Sequence, residues 1–285
     1  MTSGIKVAQV AMRRTRESSE ASVFDLPRPE SWSFIVASND DEVLGNSFLR
    51  SPGLGAVREI IVQQGYNSAA GAYNSGRDKS SGEVLVFVHQ DVFLPEEWSR
   101  AFSDALRWLQ EYDPDWGVLG CFGRTAKGLS QGHVHSVGLQ QTLGSRFFLP
   151  AQVRLLDELL LVVRRSSGLR FDEALPGFHL YGTDICLESE RRGMRNYVIP
   201  AFCIHNSNRI SWLPTAFWKA FLHTRRKWWH ELPLHSPCIQ ISRSLWPVVH
   251  YFCWKTGERL WSRPALSKRC SNPAELCKQL AEKER

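Results

Sequence analysis

The apolar run Val84-Leu85-Val86-Phe87-Val88 stops at His89-Gln90-Asp91. Within three residues stand an imidazole, an amide and a carboxylate, groups that between them donate, accept and ligate. A carboxylate at the end of a buried strand needs a charged or hydrogen-bonding partner, or water and space. Asp91 therefore has two readings: it starts a turn or caps the next segment, or it shares a divalent cation with a diphosphate. Two further polar clusters, Ser38-Asn39-Asp40 and Gln63-Gln64, also follow short apolar runs. Asp184, in Tyr181-Gly182-Thr183-Asp184, opens a helix-like segment. It reads either as an N-cap or as a carboxylate able to take a proton from a reacting hydroxyl. His205 closes the apolar run Tyr197–Ile204. His133 and His135, two apart and without a matching Cys/His set, make a weak zinc motif; residues 132–136 are expected to form a mobile loop beside the site.

These residues need a scaffold that brings strand ends together. Ser33–Ala37, Glu59–Val62, Val84–Val88 and Trp116–Cys121 read as strands. They are continuous apolar runs without period-2 alternation, the mark of strands covered on both faces. Ser68 is placed to cap a helix through Ala69, Ala70, Ala72 and Tyr73 toward Arg77. Trp98, Phe102, Leu106 and Leu109 repeat at helical spacing. Strands alternating with helices imply crossover units and a mostly parallel sheet, and in such sheets ligands bind beyond the carboxyl ends of the strands.

The blocks Ala72-Tyr73-Asn74-Ser75-Gly76, Ser81–Val92, Gly168–Glu173, Gly182–Glu188 with Arg191-Arg192-Gly193, and Tyr197–Ser207 resemble, in order and spacing, the family-2 glycosyltransferases. The pattern is that of a divergent branch, with His-Gln-Asp in place of Asp-x-Asp. The resemblance covers roughly 33–207. It implies a GT-A nucleotide-diphospho-sugar transferase fold, an α/β architecture with a mostly parallel central sheet flanked by helices and a C-terminal helical appendage. It implies an enzyme that moves a hexosyl or related sugar from a nucleotide-sugar to a carbohydrate or lipid-linked acceptor hydroxyl, as in polysaccharide biosynthesis, with inversion and with Mn²⁺ or Mg²⁺. Asp91 matches the metal-holding Asp, and His205 the downstream His that completes such a site. His89 stands where relatives carry the first Asp; it ligates the metal, contacts the ribose or fills space. Asp184 matches the general base, and Thr183 replaces the Glu before it. Ser38, Asn39, Asp40 and Gln63 would face the nucleobase and ribose. Asn74, Gly76, His89, Gln90 and Asp91 would line the phosphates, although Asn74 and Gly76 serve equally well as packing positions. Asp157 either meets sugar hydroxyls or makes a turn. The losses at His89 and Thr183 leave open a catalytically weak nucleotide-sugar-binding module.

Three segments are expected: a polar N-terminal arm (1–30), the catalytic domain (31–210), and a basic, Trp-rich, mainly helical region (211–285). The last holds 13 of the 35 lysines and arginines against 5 of the 29 acids, and 7 of the 11 tryptophans. That surface invites a different partner. Its aromatics with Arg225-Arg226-Lys227-Trp228-Trp229 fit packing on the catalytic domain or an anionic membrane surface. A basic interaction protein working through 211–285 is the remaining alternative, and nucleic acid is not expected, for want of a recognised motif. Seven scattered cysteines without a CxxC pair fit a reducing compartment. No signal-peptide core or membrane span is legible. The expected location is cytoplasmic, peripheral to the inner face of a membrane if 211–285 docks there.

Overall fold

The computed structural model describes residues 31–55, 57, 59–261 and 267–283; the N-terminal arm lies outside them. The first half runs β1 (Trp32–Ser38), α1 (Asp41–Asn46), β2 (Glu59–Gln64), α2 (Ala69–Lys79), β3 (Val84–His89), β4 (Val92–Phe93) and α3 (Trp98–Tyr112). Then come β5 (Val118–Gly120), β6 (Phe122–Arg124), β7 (Ser130–Ser136), β8 (Gln141–Gly144), β9 (Ala151–Val153), β10 (Leu155–Leu156) and β11 (Leu160–Arg164). The chain continues through α4 (Tyr181–Arg191), β12 (Asn196–Val198), β13 (Cys203–His205), α5 (Thr215–Lys227), β14 (Leu234–His235), β15 (Gln240–Ile241), α6 (Trp246–Trp261) and α7 (Pro273–Lys283).

The main sheet has the order β2-β1-β3-β11-β5-β12-β9. β2, β1, β3, β5 and β12 share one direction, while β11 and β9 run against it. The sheet is thus mostly parallel, as expected, with a reversed strand inserted at its centre. Both faces are covered, which is why the strands read as unbroken apolar runs. Val84, Val86 and Val88 point into one core with Trp98, Phe102 and Leu109 of α3. Leu85 and Phe87 point into the other with Tyr73 of α2 and Tyr181 of α4. Burying such side chains contributes roughly 1.5–3 kcal/mol each. β2 is the exception: it is the sheet edge and only half covered.

Local chemistry fixes the helices that carry the site. The Ser68 hydroxyl accepts from the Gly71 amide and starts α2, as its position predicts. α4 starts differently. Leu180 precedes it in the left-handed region (φ 61°) and caps nothing with its side chain. The backbone amides of Gly182 and Leu180 instead point at the Glu158 carboxyl group, which supplies an acceptor to otherwise unpaired amides at the start of the helix. A Cβ on Gly182 would meet Glu158 Cγ at 2.9 Å and the Leu156 carbonyl at 3.0 Å, so only glycine fits there.

The second sheet, β10-β6-β7-β13-β4 with β8 on β7, corrects one expectation. Residues 132–136 are not a mobile loop but part of β7, paired with β6, β8 and β13. His135 is buried against the Thr142 hydroxyl (3.0 Å) and the His133 ring packs on Phe202. Phe217, Phe221 and Trp228 of the C-terminal region, with Leu234 and Ile241, sit in the same core cluster as Leu85 and Phe87. Residues 211–241 are therefore continuous with the sheet in packing.

Candidate functional site

β3 and β13 end side by side, linked through β4. This places His89, Asp91 and His205 together, with one ligand atom from each lying within 4.8 Å of the others. His205 Nε2 is 3.4 Å from one Asp91 oxygen, and an Arg269 terminal nitrogen is 3.5 Å from the other. The Asp91 carboxylate thus faces cations and imidazoles; it does not cap a turn. Burial alone would raise its pKa, but His205, His89 and Arg269 outweigh that and hold it well below the usual range. Burial pushes His89 down to about 4, against the pull of Asp91, so its ring is neutral at pH 7. Burial acts the same way on His205, but there Asp91 prevails and the pKa is raised.

Tyr181 orients His89. Its hydroxyl donates to the Glu158 carbonyl (2.9 Å) and lies 2.6 Å from His89 Nε2. With its own proton engaged, the hydroxyl accepts from Nε2–H, which leaves the Nδ1 lone pair free. An imidazole fixed this way by an outer partner is the usual arrangement of a metal ligand. Two imidazole nitrogens and a carboxylate suit a borderline cation such as Mn²⁺ better than Mg²⁺, which prefers oxygen, and a bound cation would take the place of the proton that Asp91 favours on His205. The donor set therefore fits the expected divalent metal. Removing the Tyr181 hydroxyl leaves every ligand in place but releases the ring, so Tyr181→Phe should weaken Mn²⁺ binding roughly 10- to 100-fold in a calorimetric titration.

Gln90 ties this corner to the end of β1. Its carbonyl oxygen accepts from the Ser38 hydroxyl (2.8 Å) and from the backbone amides of Asn39 (3.0 Å) and Asp40 (3.1 Å). Its amide donates to Asn39 Oδ1 (2.6 Å). Ser38, Asn39 and Asp40 therefore stand at the same edge as His89 and Asp91, and Asp40 also caps α1 through Val43. Gln63, one register position away beside Ala37, accepts from Lys79 (3.2 Å) and is buried. Asn74 and Gly76 have internal work. Both Asn74 amide hydrogens go to Phe171 and Glu173, and its oxygen accepts from the Phe171 amide. Gly76 packs so closely on β1 that a Cβ would lie 2.3 Å from Ile35 Cγ2. Asp157 makes a turn, accepting from the Leu159 amide at 3.1 Å.

Asp184 is not an N-cap: it lies inside the first turn of α4, 3% exposed. Its two oxygens are held by Lys227 (2.8 and 2.9 Å) and by the Trp228 indole N–H (2.7 Å). Lys227 also bridges to Asp172 at 2.7 Å. Burial raises the Asp184 pKa, and Lys227 and Trp228 oppose the rise. Thr183 beside it is buried, with no hydrogen-bond partner for its hydroxyl among the described residues. Lys227, Trp228, Tyr181 and Arg269 escaped the sequence reading. Only the Arg225–Trp229 cluster hinted at any of them, through the expectation that its tryptophans pack on the catalytic domain, as Trp228 does.

The sequence pattern of the glycosyltransferase-like family matches residues 33–217, which hold the site residues described above except Lys227, Trp228 and Arg269. The chain belongs to that family. Membership and sheet order together give this glycosyltransferase-like protein the GT-A fold expected of it. Among curated proteins it is similar to "ATP synthase subunits region ORF 6" of Fuscovulum blasticum, 33% identical over 139 residues. That stretch is 46% of this chain and 54% of the relative, so the match spans about half of that protein. Among solved structures it is similar to a mannosyltransferase, PcManGT, from Pyrobaculum calidifontis in complex with GDP-Man and Mn²⁺. The identity is 14%, covering 65% of this chain and 60% of that one, with a TM-score of 0.41. It is also similar to GalNAc-T7 with UDP, GalNAc and Mn²⁺ (12% identity, 73% of this chain, 49% of that one, TM-score 0.49). S. aureus TarS 1–349 gives 14% identity, 67% and 63% coverage and a TM-score of 0.43.

Proposed function

We propose that this glycosyltransferase-like chain moves a sugar, of the hexosyl class, from a nucleotide-diphosphate donor to an acceptor hydroxyl, with inversion and with a divalent metal. The observation that carries the reading is the convergence of His89, Asp91 and His205 beyond the ends of buried strands, where an open α/β sheet binds its ligand. Asp91, His205 and His89 through Nδ1 would hold the metal. Bound there, a divalent cation offsets the charge that builds on a leaving diphosphate.

The protein's own groups account for the rest. Ser38, Asn39 and Asp40, braced by Gln90, present hydroxyl, amide and carboxylate groups to the nucleoside. Arg269 brings a guanidinium to Asp91, and its buried Nε has no partner within the described residues. An anionic diphosphate would satisfy it. Asp184 is the base in this reading. It takes the proton of the acceptor hydroxyl as that oxygen bonds to the anomeric carbon, and the bond from that carbon to the diphosphate breaks, the electron pair leaving with the diphosphate. Burial raises its affinity for the proton, and the Lys227 ammonium and the Trp228 indole oppose that rise by favouring the carboxylate, the form that acts as a base. The acceptor is a carbohydrate or lipid-linked sugar, and residues 211–285 are where a membrane would be met.

A thermal-shift screen of UDP-, GDP- and CDP-sugars, with and without Mn²⁺, tests the reading. One donor should raise the melting temperature, and more strongly with Mn²⁺, because a ligand that binds only the folded state stabilises it. No stabilisation by any of them would remove the basis for a donor site.

A further inference from the structure

We infer that α6 is a membrane-docking helix, seating the protein on an anionic lipid surface through its outer face. This stands independently of the donor site, since it rests on a different part of the molecule.

The C-terminal aromatics divide into two sets. Phe217, Phe221 and Trp228 turn into the core. On α6 and the residue before it, Leu245, Trp246, Val249, Phe252, Trp254 and Leu260 are exposed, Trp246 at 69% and Leu260 at 67%, with Phe252 also stacking on Trp218. Around the helix, Trp246, Val249 and Leu260 fall in one outward stripe, flanked by Leu245 and Phe252 on one side and Trp254 on the other. The inner side is built by Tyr251, which packs on Trp218 and whose hydroxyl accepts from the Leu213 amide (2.8 Å). The one acid of α6, Glu258, is locked to Arg209 and Lys255, both at 2.7 Å. No unpaired carboxylate of α6 therefore opposes an anionic surface.

A cationic rim adjoins this face. The Arg225 guanidinium donates to the carbonyls of Ser242 (2.9 Å) and Arg243 (2.5 Å) and lies over the Trp229 ring. It ties the end of α5, where Arg226 is exposed, to the segment leading into α6, where exposed Arg243 closely precedes Leu245 and Trp246 in the chain. An apolar stripe carrying tryptophans, with cations at its border, is the composition of an interfacial helix on anionic lipid. The same charges disfavour a second copy of this face, because pairing would bring like-charged rims together. The aliphatic centre lacks the cations that a nucleic-acid backbone needs. The end of α5 adjoins both regions: Lys227 and Trp228 hold Asp184, while Arg225, lying over Trp229, holds the carbonyls of Ser242 and Arg243 that lead into α6. A lipid-linked acceptor lying in the surface would reach the base past this turn.

Co-sedimentation of the full chain with phosphatidylcholine vesicles, with and without phosphatidylglycerol, tests the inference. The wild type should pellet with the phosphatidylglycerol vesicles and release at high salt. Trp246→Glu with Leu260→Glu should lower the bound fraction roughly tenfold, and Arg226→Glu with Arg243→Glu should abolish the preference for phosphatidylglycerol. Trp246→Gln with Leu260→Gln is the milder pair should the glutamates impair folding, with circular dichroism confirming the fold of each. Absence of wild-type pelleting, or undiminished pelleting by the folded α6 variants, would overturn the inference. So would a lipid-free dimer, seen by light scattering, that Trp246→Gln dissociates.

Discussion

Asp91→Asn should abolish Mn²⁺ binding in the micromolar range and, with it, the metal-dependent part of donor stabilisation. Loss of an outer partner of a metal ligand costs about 10- to 100-fold in affinity, so loss of the one anionic ligand should cost roughly a hundredfold or more by the same measure. Asparagine keeps the shape and one oxygen, and the imidazoles of His89 and His205 stay within reach of one another. The change therefore isolates the charge. Its side effect is readable too: Arg269 and His205 lose the carboxylate they face, and an uncompensated buried cation lowers stability. Manganese paramagnetic resonance separates the two, because bound Mn²⁺ is counted directly while the melting temperature reports the fold. Unchanged Mn²⁺ binding by a folded Asp91→Asn protein would remove Asp91 from the metal site.

Asp184→Asn should reduce transfer by roughly 10²- to 10⁴-fold, the contribution of a positioned general base, with donor binding unchanged. The fold should tolerate it. Asparagine still offers the Trp228 indole an acceptor, and Lys227 keeps Asp172 at 2.7 Å. In the wild type the base works only when ionised. Burial raises the Asp184 pKa, so transfer should fall as pH drops through that raised value, with the loss beginning above the ordinary aspartate range. Surviving transfer in the folded variant would place the base elsewhere. Glu158 would be the next carboxylate to test: burial, then Asp157, raises its pKa well above the usual value, and its backbone carbonyl already holds Tyr181.

β1 and β3 were legible because they are buried on both faces, so each appears as an apolar run whose end is marked by the first polar residue, and half-covered β2 carries the same pattern. That is how Ser38, Gln63 and His89 could be placed at strand ends. α2 was legible from its Ser68 cap, and α3 from its apolar spacing. The reversal of β11 was not, since a buried strand reads alike in either direction. Nor was β7, because Gly132-His133-Val134-His135 is a strand only through pairing with β6, β8 and β13.

By itself, then, the sequence determined a family, a layered α/β fold and the residue types of a site: Asp91, Asp184 and His205, each at the end of an apolar run or the start of a helix. Tertiary structure decided what those groups face. Arg269 reaches Asp91 from 178 residues away, and Lys227 reaches Asp184 from 43. Tyr181 selects the His89 nitrogen that stays free, and α6 keeps outside the aromatics that α5 turns inward. Burial patterns are written locally, because each residue's hydrophobicity sets which side it prefers. Electrostatic partners are not, because a charge carries no mark of the one it will meet until the chain has folded.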